Sequence, residues 1–457
     1  MVTTAAPARV VVAAPGSGQG KTTVATGLMA ALRAAGHRVS GHKVGPDYID
    51  PGFHELATGR APRNLDPFLQ GDDRLLPLLR SGAEQADIAV IEGVMGLFDG
   101  ALGTDGYAST AHVARELAAP VLLVVDASAA SRSVAALVHG FAHYDPGIRL
   151  AGVLLNKLGS QRHEDEIRAA LEPTGVPVLG ALRRDEQIHA PSRDLGVVPA
   201  AERAEVVNTT IPRLQQWVSQ GVDLQAVARV AQQAPEQLGP VWRAEEQLEP
   251  CGGRPTVALA AGQAFTFRYT ETAELLAAAG VEVVDIDPLE DTGLPDDCAG
   301  LYLGGGFPES YAGELASNGP MLRATARAVR TGMPVVAECA GLLYLCRELD
   351  DVAMAGVLNA TATMAGGGRL GYRRARAVTS NVVAELGQEV TGHEFHRSTV
   401  TPGADSASAW RWNDTTEGVT TPNVHASQLH VHWAGHPELA QRFAGSAQRY
   451  QEVQYGR

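Results

Sequence analysis

Short apolar runs alternate with amphipathic stretches along the first half of the chain. Arg9–Ala14 (RVVVAA), Ala86–Glu92 (ADIAVIE), Pro120–Asp126 (PVLLVVD) and Arg149–Asn156 (RLAGVLLN) are runs of branched apolar residues bounded by turn formers. Runs of this length read as buried strands. Lys21–Gly36 between them reads as a helix. Strands apolar on both faces and separated by helices predict a parallel sheet covered on both sides. Leu214–Gln233 reads as a further helix, and Ala234–Pro255 is polar and punctuated by Pro and Gly, so a domain boundary is expected there. A second alternation follows, with strands at Thr256–Ala261, Val281–Ile286, Gly300–Leu303 and Pro334–Ala337 and a helix at Thr272–Ala279. The expected organisation is an α/β protein with domains at residues 1–235 and 255–457 and a linker over 236–254. Gly366–Gly368 is expected to be a mobile loop.

Composition narrows the class. The chain has 457 residues, 51 acidic against 37 Lys plus Arg, for a net charge of −14. That length supports two or three domains with cores of their own. The acidic balance argues against nucleic acid as a partner. No run reaches the ~18 apolar residues of a membrane span, and MVTTAAPARVVVAAPG shows no secretory leader pattern. Cys251, Cys298, Cys339 and Cys346 form no CxxC pair and suggest no disulfide framework. A cytoplasmic protein with no membrane partner is expected.

The first candidate site follows the first strand: Ala14-Pro15-Gly16-Ser17-Gly18-Gln19-Gly20-Lys21-Thr22-Thr23. Strand, glycine-rich turn and helix starting at GKT form a P-loop context. Gly18 and Gly20 let backbone N–H groups point at phosphate oxygens, and the helix N-terminus adds positive potential. Lys21 would neutralise β/γ phosphates, the Thr22 hydroxyl would bind Mg²⁺, and Thr23 completes the turn. Pro15 stands where the strict motif has its first Gly. Two acids suit the metal: Asp47 in KVGPDYIDP and Glu92 at the end of the strand VIE. Asn156 also ends a strand. Its amide can read adenine, and Asn there is as often a turn former.

The second candidate site is Pro334-Val335-Val336-Ala337-Glu338-Cys339-Ala340-Gly341. It reads as strand, sharp turn and helix, with small residues two before and two after the cysteine, the arrangement of a nucleophile elbow. A thiol at a helix N-terminus is expected to lean toward thiolate. Cys346, among leucines, reads as a core residue. In Gln428-Leu429-His430-Val431-His432 two histidines share one strand face, and either can take the thiol proton. A metal pair is the competing reading, without further ligands at usable spacing. The Gly304–Gly306 backbone and the Ala340 N–H are candidate oxyanion donors.

Taken together these motifs resemble the cobyrinic acid a,c-diamide synthase family of corrinoid biosynthesis, most strongly its actinobacterial-type members acting on hydrogenobyrinic acid. The resemblance runs nearly the whole chain. It rests on GSGQGKTT, KVGPDYIDPGFH, RNLDPFL, EGVMGLFDG, LLNKLGSQRH, PSRDLGVVP, LGGGFPE, ECAGLLYL, GHEFHRS and QLHVHW. It implies an N-terminal dethiobiotin-synthetase-like P-loop domain and a C-terminal class I glutamine amidotransferase-like domain. It implies ATP and L-glutamine as co-substrates, a corrinoid polycarboxylate as acceptor, and a homodimer as an open possibility. By matched position it implies Cys339 as nucleophile and His430 as its base. Lys21 and Thr22 are implied to hold ATP-Mg²⁺, Asp47 and Glu92 to assist the metal, and Asn156 to contact adenine. Triad amidotransferases carry an acid two residues after the histidine, where this chain has His432. Arg63, Arg162, His163, Arg193, Arg369, Arg373 and Arg397 are candidates for gripping substrate carboxylates, because Arg pairs them bidentately. The rivals are a cobyric acid synthase acting on other side chains and a partitioning-type P-loop ATPase. The latter usually has an extra Lys where this chain has Gly16.

Overall fold

The computed structural model describes residues 3–185, 187–188, 206–364, 367–402 and 407–456. The chain divides into two compact units, the second taking over at Arg243. The first is built on seven strands: β1 (Ala8–Ala13), β2 (Val39–Val44), β3 (Arg63–Leu65), β4 (Ile88–Glu92), β5 (Val121–Asp126), β6 (Leu150–Leu158) and β7 (Val178–Arg183). Their order is β3-β2-β4-β1-β5-β6-β7, and every neighbouring pair is parallel. Val10, Val11 and Val12 are wholly buried, as are Ala89, Val90 and Ile91 of β4. Helices α1 (Lys21–Ala34) and α2 (Ile49–Thr58) follow β1 and β2.

Two departures from the sequence reading have local causes. Strand β2 reads VSGHKV, too polar to be recognised, yet all six residues are buried. The expected helix over 214–233 is two helices, Ile211–Gly221 and Leu224–Gln232. Val222 between them is extended, and Asp223 caps the second by accepting from Ala226 N.

The second unit carries a six-stranded sheet of β8 (Thr256–Ala260), β9 (Glu282–Ile286), β10 (Cys298–Leu303), β11 (Val335–Glu338), β12 (Val419–Thr421) and β13 (Val424–Ser427). The order is β9-β8-β10-β11-β13-β12, parallel except for the β12–β13 pair. Helix α3 (Ala340–Leu345) follows β11 and is wholly buried. A five-stranded antiparallel sheet contains Arg369–Ala377, Glu389–His396 and His430–Val431. Sequence patterning missed it because Arg369–Ala377 keeps only Ala375 and Ala377 buried. Arg193, Asp194 and Gly366 lie outside the described residues.

Candidate functional site

The P-loop links β1 to α1. Gly20 sits at the helix N-cap with φ +87°, and a Cβ there would lie 2.4 Å from Asn156 Nδ2. Only glycine fits that close approach. The Asn156 amide donates to Gln19 O (2.9 Å), and Asn156 is 3% exposed. Asn156 therefore props the loop from the end of β6. Lys21 Nζ donates to Met95 O at 2.6 Å, and Thr23 stands half-buried in the first helical turn.

Beneath the loop is a buried charge cluster. Thr22 Oγ1 donates to Glu92 Oε1 (2.7 Å) and to Asp50 Oδ2 (3.2 Å). Lys43 Nζ, wholly buried, reaches Asp50 (2.7 Å), Glu92 (3.0 Å) and Gly93 O (3.0 Å). His54 Nε2 meets the other oxygen of Glu92 at 2.7 Å. Burial opposes the Lys43 charge, but Asp50, Glu92 and Asp47 overcome it and hold the ammonium pKa above its ordinary value. The sequence reading named Asp47. The structure brings Asp50 to the Thr22 hydroxyl, while Asp47 lies 4.0 Å from Lys43 and accepts from Ile49 N and Asp50 N at the head of α2. Burial, then Asp50, raises Asp47 to about 6 against the pull of Lys43. The D-x-x-D spacing before an apolar helical face was the available signal, since the first acid of such a pair caps and the second enters the helix. The Thr22, Asp50 and Glu92 oxygens form a hard donor set that fits Mg²⁺.

The thiol site stands at the carboxyl ends of β11 and β13. Cys339 has φ +49° and ψ −100°, a strained elbow, and its N–H donates to Ser427 O at 2.7 Å. A Cβ at Gly341 would meet Leu303 O at 2.3 Å, so only glycine lets α3 turn away so sharply. His430 follows β13 and is wholly buried, its Nδ1 3.6 Å from Glu338 Oε2. The His393 ring stacks on His430 at 5.0 Å, and Tyr269 OH lies 3.1 Å from His393 Nε2. His432 faces Glu271 at 3.6 Å, placing it in a neighbouring cluster. Of the glycine run, Gly305 already donates to Phe267 O and Gly304 accepts from Gly341 N.

The expected lean toward thiolate is opposed by its surroundings. Burial, then the charge of Glu309, pushes the Cys339 thiol up to about 12, with Glu338 and Glu417 adding to it and the Ala340 N–H opposing. The following helix has only six residues, too short a dipole to compensate. Cys346 is wholly buried in the core beside Leu342, Leu345 and Leu349. Among the expected carboxylate-gripping residues, Arg63 is 5% exposed, donates to Ser81 Oγ and lies over Trp242, so packing occupies it. Arg373 is paired with Glu394 at 2.7 Å and His163 with Ala130 O. Arg162, Arg369 and Arg397 are exposed.

Two family profiles match the chain. One is the CobQ/CobB/MinD/ParA nucleotide binding domain, over residues 10–197. The other is the CobB/CobQ-like glutamine amidotransferase domain, over residues 256–438. A hydrogenobyrinate a,c-diamide synthase of Thermobifida fusca is 54% identical over 96% of each chain. One from Streptomyces coelicolor is 51% identical over 95% of this chain and 96% of its own. A cobyrinate a,c-diamide synthase of Synechococcus is 40% identical over 96% of this chain and 98% of its own. No helix among the described residues is long and apolar enough to cross a membrane.

Proposed function

We propose, from the premise that the chain belongs to the hydrogenobyrinate and cobyrinate a,c-diamide synthase family, that it amidates the a and c side-chain carboxylates of hydrogenobyrinic acid. Glutamine supplies the nitrogen and ATP the driving force. The observation that carries the reading is a P-loop unit and a cysteine-elbow unit in one chain that aligns end to end with such enzymes. The metal-free ring is preferred as substrate over the cobalt-loaded ring because identity is 54% to a hydrogenobyrinate relative and 40% to a cobyrinate one.

A carboxylate is a poor acyl donor because its leaving group would be oxide. Transfer of the ATP γ-phosphoryl to a carboxylate oxygen gives an acyl phosphate and ADP. Ammonia then displaces phosphate and leaves the amide. Lys21 and the P-loop N–H groups hold the phosphates in line for that transfer. Thr22, Asp50 and Glu92 would hold Mg²⁺, with Asp47 beside them. Bound there, Mg²⁺ supplies positive charge to the phosphate oxygens. Asn156 fixes the loop and can offer its carbonyl edge to adenine.

Ammonia comes from glutamine. His430 takes the Cys339 proton as the sulfur attacks the glutamine amide carbon. Burial and Glu309 raise the resting thiol pKa, so proton transfer to His430 accompanies the attack. The oxyanion is met by the Ala340 N–H. His430 returns the proton to the departing ammonia, then activates water to free glutamate from the thioester.

Nitrogen source separates the two units. Cys339→Ala should abolish glutamine-supported synthesis and keep synthesis from concentrated ammonium salt. Lys21→Ala should remove both. Product mass, read with metal-free and with cobalt-loaded ring, tests the substrate. Retention of glutamine-supported synthesis by Cys339→Ala would overturn the reading.

A further inference from the structure

Resting on the amidotransferase reading above, we propose that Glu338, the residue immediately before the nucleophile, is the carboxylate that positions His430. Triad enzymes place this acid two residues after the histidine. Here that position is His432, whose Nε2 faces Glu271 (3.6 Å) and whose ring lies against Tyr269 (4.0 Å). Glu338 supplies the missing charge from another strand. Its Oε2 lies 3.6 Å from His430 Nδ1, an ion-pair separation, and Glu338 is 5% exposed. Hydrogen bonds of this kind are long in resting sites and close when substrate is bound.

The carboxylate is held on a rigid frame. Glu338 is the last residue of β11 and pairs in register with Ser427 of β13. Tyr302 OH donates to the same Oε2 at 3.2 Å from the neighbouring β10. Burial, then Glu338, drives the Tyr302 hydroxyl pKa well up, so it stays a donor. Two other nearby acids are engaged elsewhere. Glu417 accepts from Ser427 Oγ (2.6 Å) and Gln428 N (2.7 Å), and Glu394 pairs with Arg373 and His396.

The chemistry follows from which ring nitrogen faces the acid. An Nδ1–H directed at Glu338 would leave Nε2 as the basic nitrogen, and the carboxylate would stabilise the imidazolium once the thiol proton arrives. Groups facing His430 include His393, stacked on it, and Phe267 at 6.5 Å, with His432 two residues on. His393 is held neutral by burial, then by His430 and His432, so it adds no opposing charge.

Glu338→Gln in the full-length enzyme tests this. The expected result is a fall of about 10²–10⁴ in glutaminase kcat, the span a positioned acid–base group contributes. KM for glutamine and ammonium-driven synthesis should stay near wild type. Loss of the carboxylate removes a negative charge that favours imidazolium, so the acid limb of the kcat–pH profile should move to lower pH. Glu338→Asp, which keeps the charge, should hold that limb in place and recover part of kcat. An unmoved limb in Glu338→Gln, an unchanged kcat, or a rise in KM alone would overturn the proposal. If Glu338→Gln also loses ammonium-driven synthesis, Glu338→Asp decides, and a limb displaced to lower pH in that variant overturns it. Failure here leaves dependence on Cys339 intact, whereas failure of the amidotransferase reading abolishes it.

Discussion

Lys43→Met would expose how the nucleotide unit is held together. Methionine matches the length and apolar stem of lysine, so the substitution removes a charge without opening a large cavity. Lys43 Nζ has three partners within 3.0 Å: Asp50, Glu92 and the Gly93 carbonyl. Without it two carboxylates that are 2% and 0% exposed face each other with no cation between them. Removing one partner of a buried pair costs about 3–5 kcal/mol. For a unit of this size that is about 6–20 °C of melting temperature, at ~2–4 °C per kcal/mol. Calorimetry reads it directly, with the second unit as internal reference. The pH dependence has a definite sign. Lys43 lowers the Asp47 pKa, so its loss raises that pKa in the folded state further. A group raised on folding stabilises below its unfolded pKa, and that contribution is lost as pH rises through the folded value. The deficit of Lys43→Met should therefore shrink between pH 8 and pH 5.5, through the window around 6 where Asp47 titrates. A loss below about 1 kcal/mol, or a deficit that grows on acidification, would refute the role given to the cluster.

Two further outcomes test the sites. Gly20→Ala should weaken ATP binding more than tenfold, since its Cβ would meet Asn156 Nδ2 at 2.4 Å on top of a φ of +87°. Gly18→Ala, at φ +80° with nothing within 4 Å, should cost less, and equal effects in a nucleotide titration would contradict the loop geometry. Iodoacetamide near pH 7.5 should label half-buried Cys251 before Cys339, with Cys339 labelling rising about tenfold per pH unit, and mass spectrometry finding Cys339 labelled first would contradict its pKa of about 12.

Features that depend on backbone conformation or on a local run were legible in the sequence. GxGKTT after an apolar strand marked the P-loop, and Ala337 and Gly341 around Cys339 marked the elbow. Strands buried on both faces, such as β5 and β6, declared themselves by uninterrupted branched residues. What stayed hidden depends on partners distant in the chain. The role of Lys43 depends on Glu92, 49 residues away, which lies against it. The thiol of Cys339 was expected to lean toward thiolate from its place before a helix, but burial and the charge of Glu309 push it the other way. Asp47 and Asp50 differ only in which side of a helix start they occupy. Arg63 resembled an anion-binding residue until Trp242 packed on it.

The strand order of the first unit also bears on how the chain is made. β1 neighbours β4 and β5, not β2. The RVVVAA segment therefore has no sheet partner until Ile88 has been synthesised, about 80 residues after Ala8. At ~5–20 residues per second the ribosome leaves that apolar strand waiting ~4–16 s. Early translation of this unit thus presents a sticky, unpaired segment to chaperones, and slowing synthesis between Ala13 and Ile88 would lengthen that exposure.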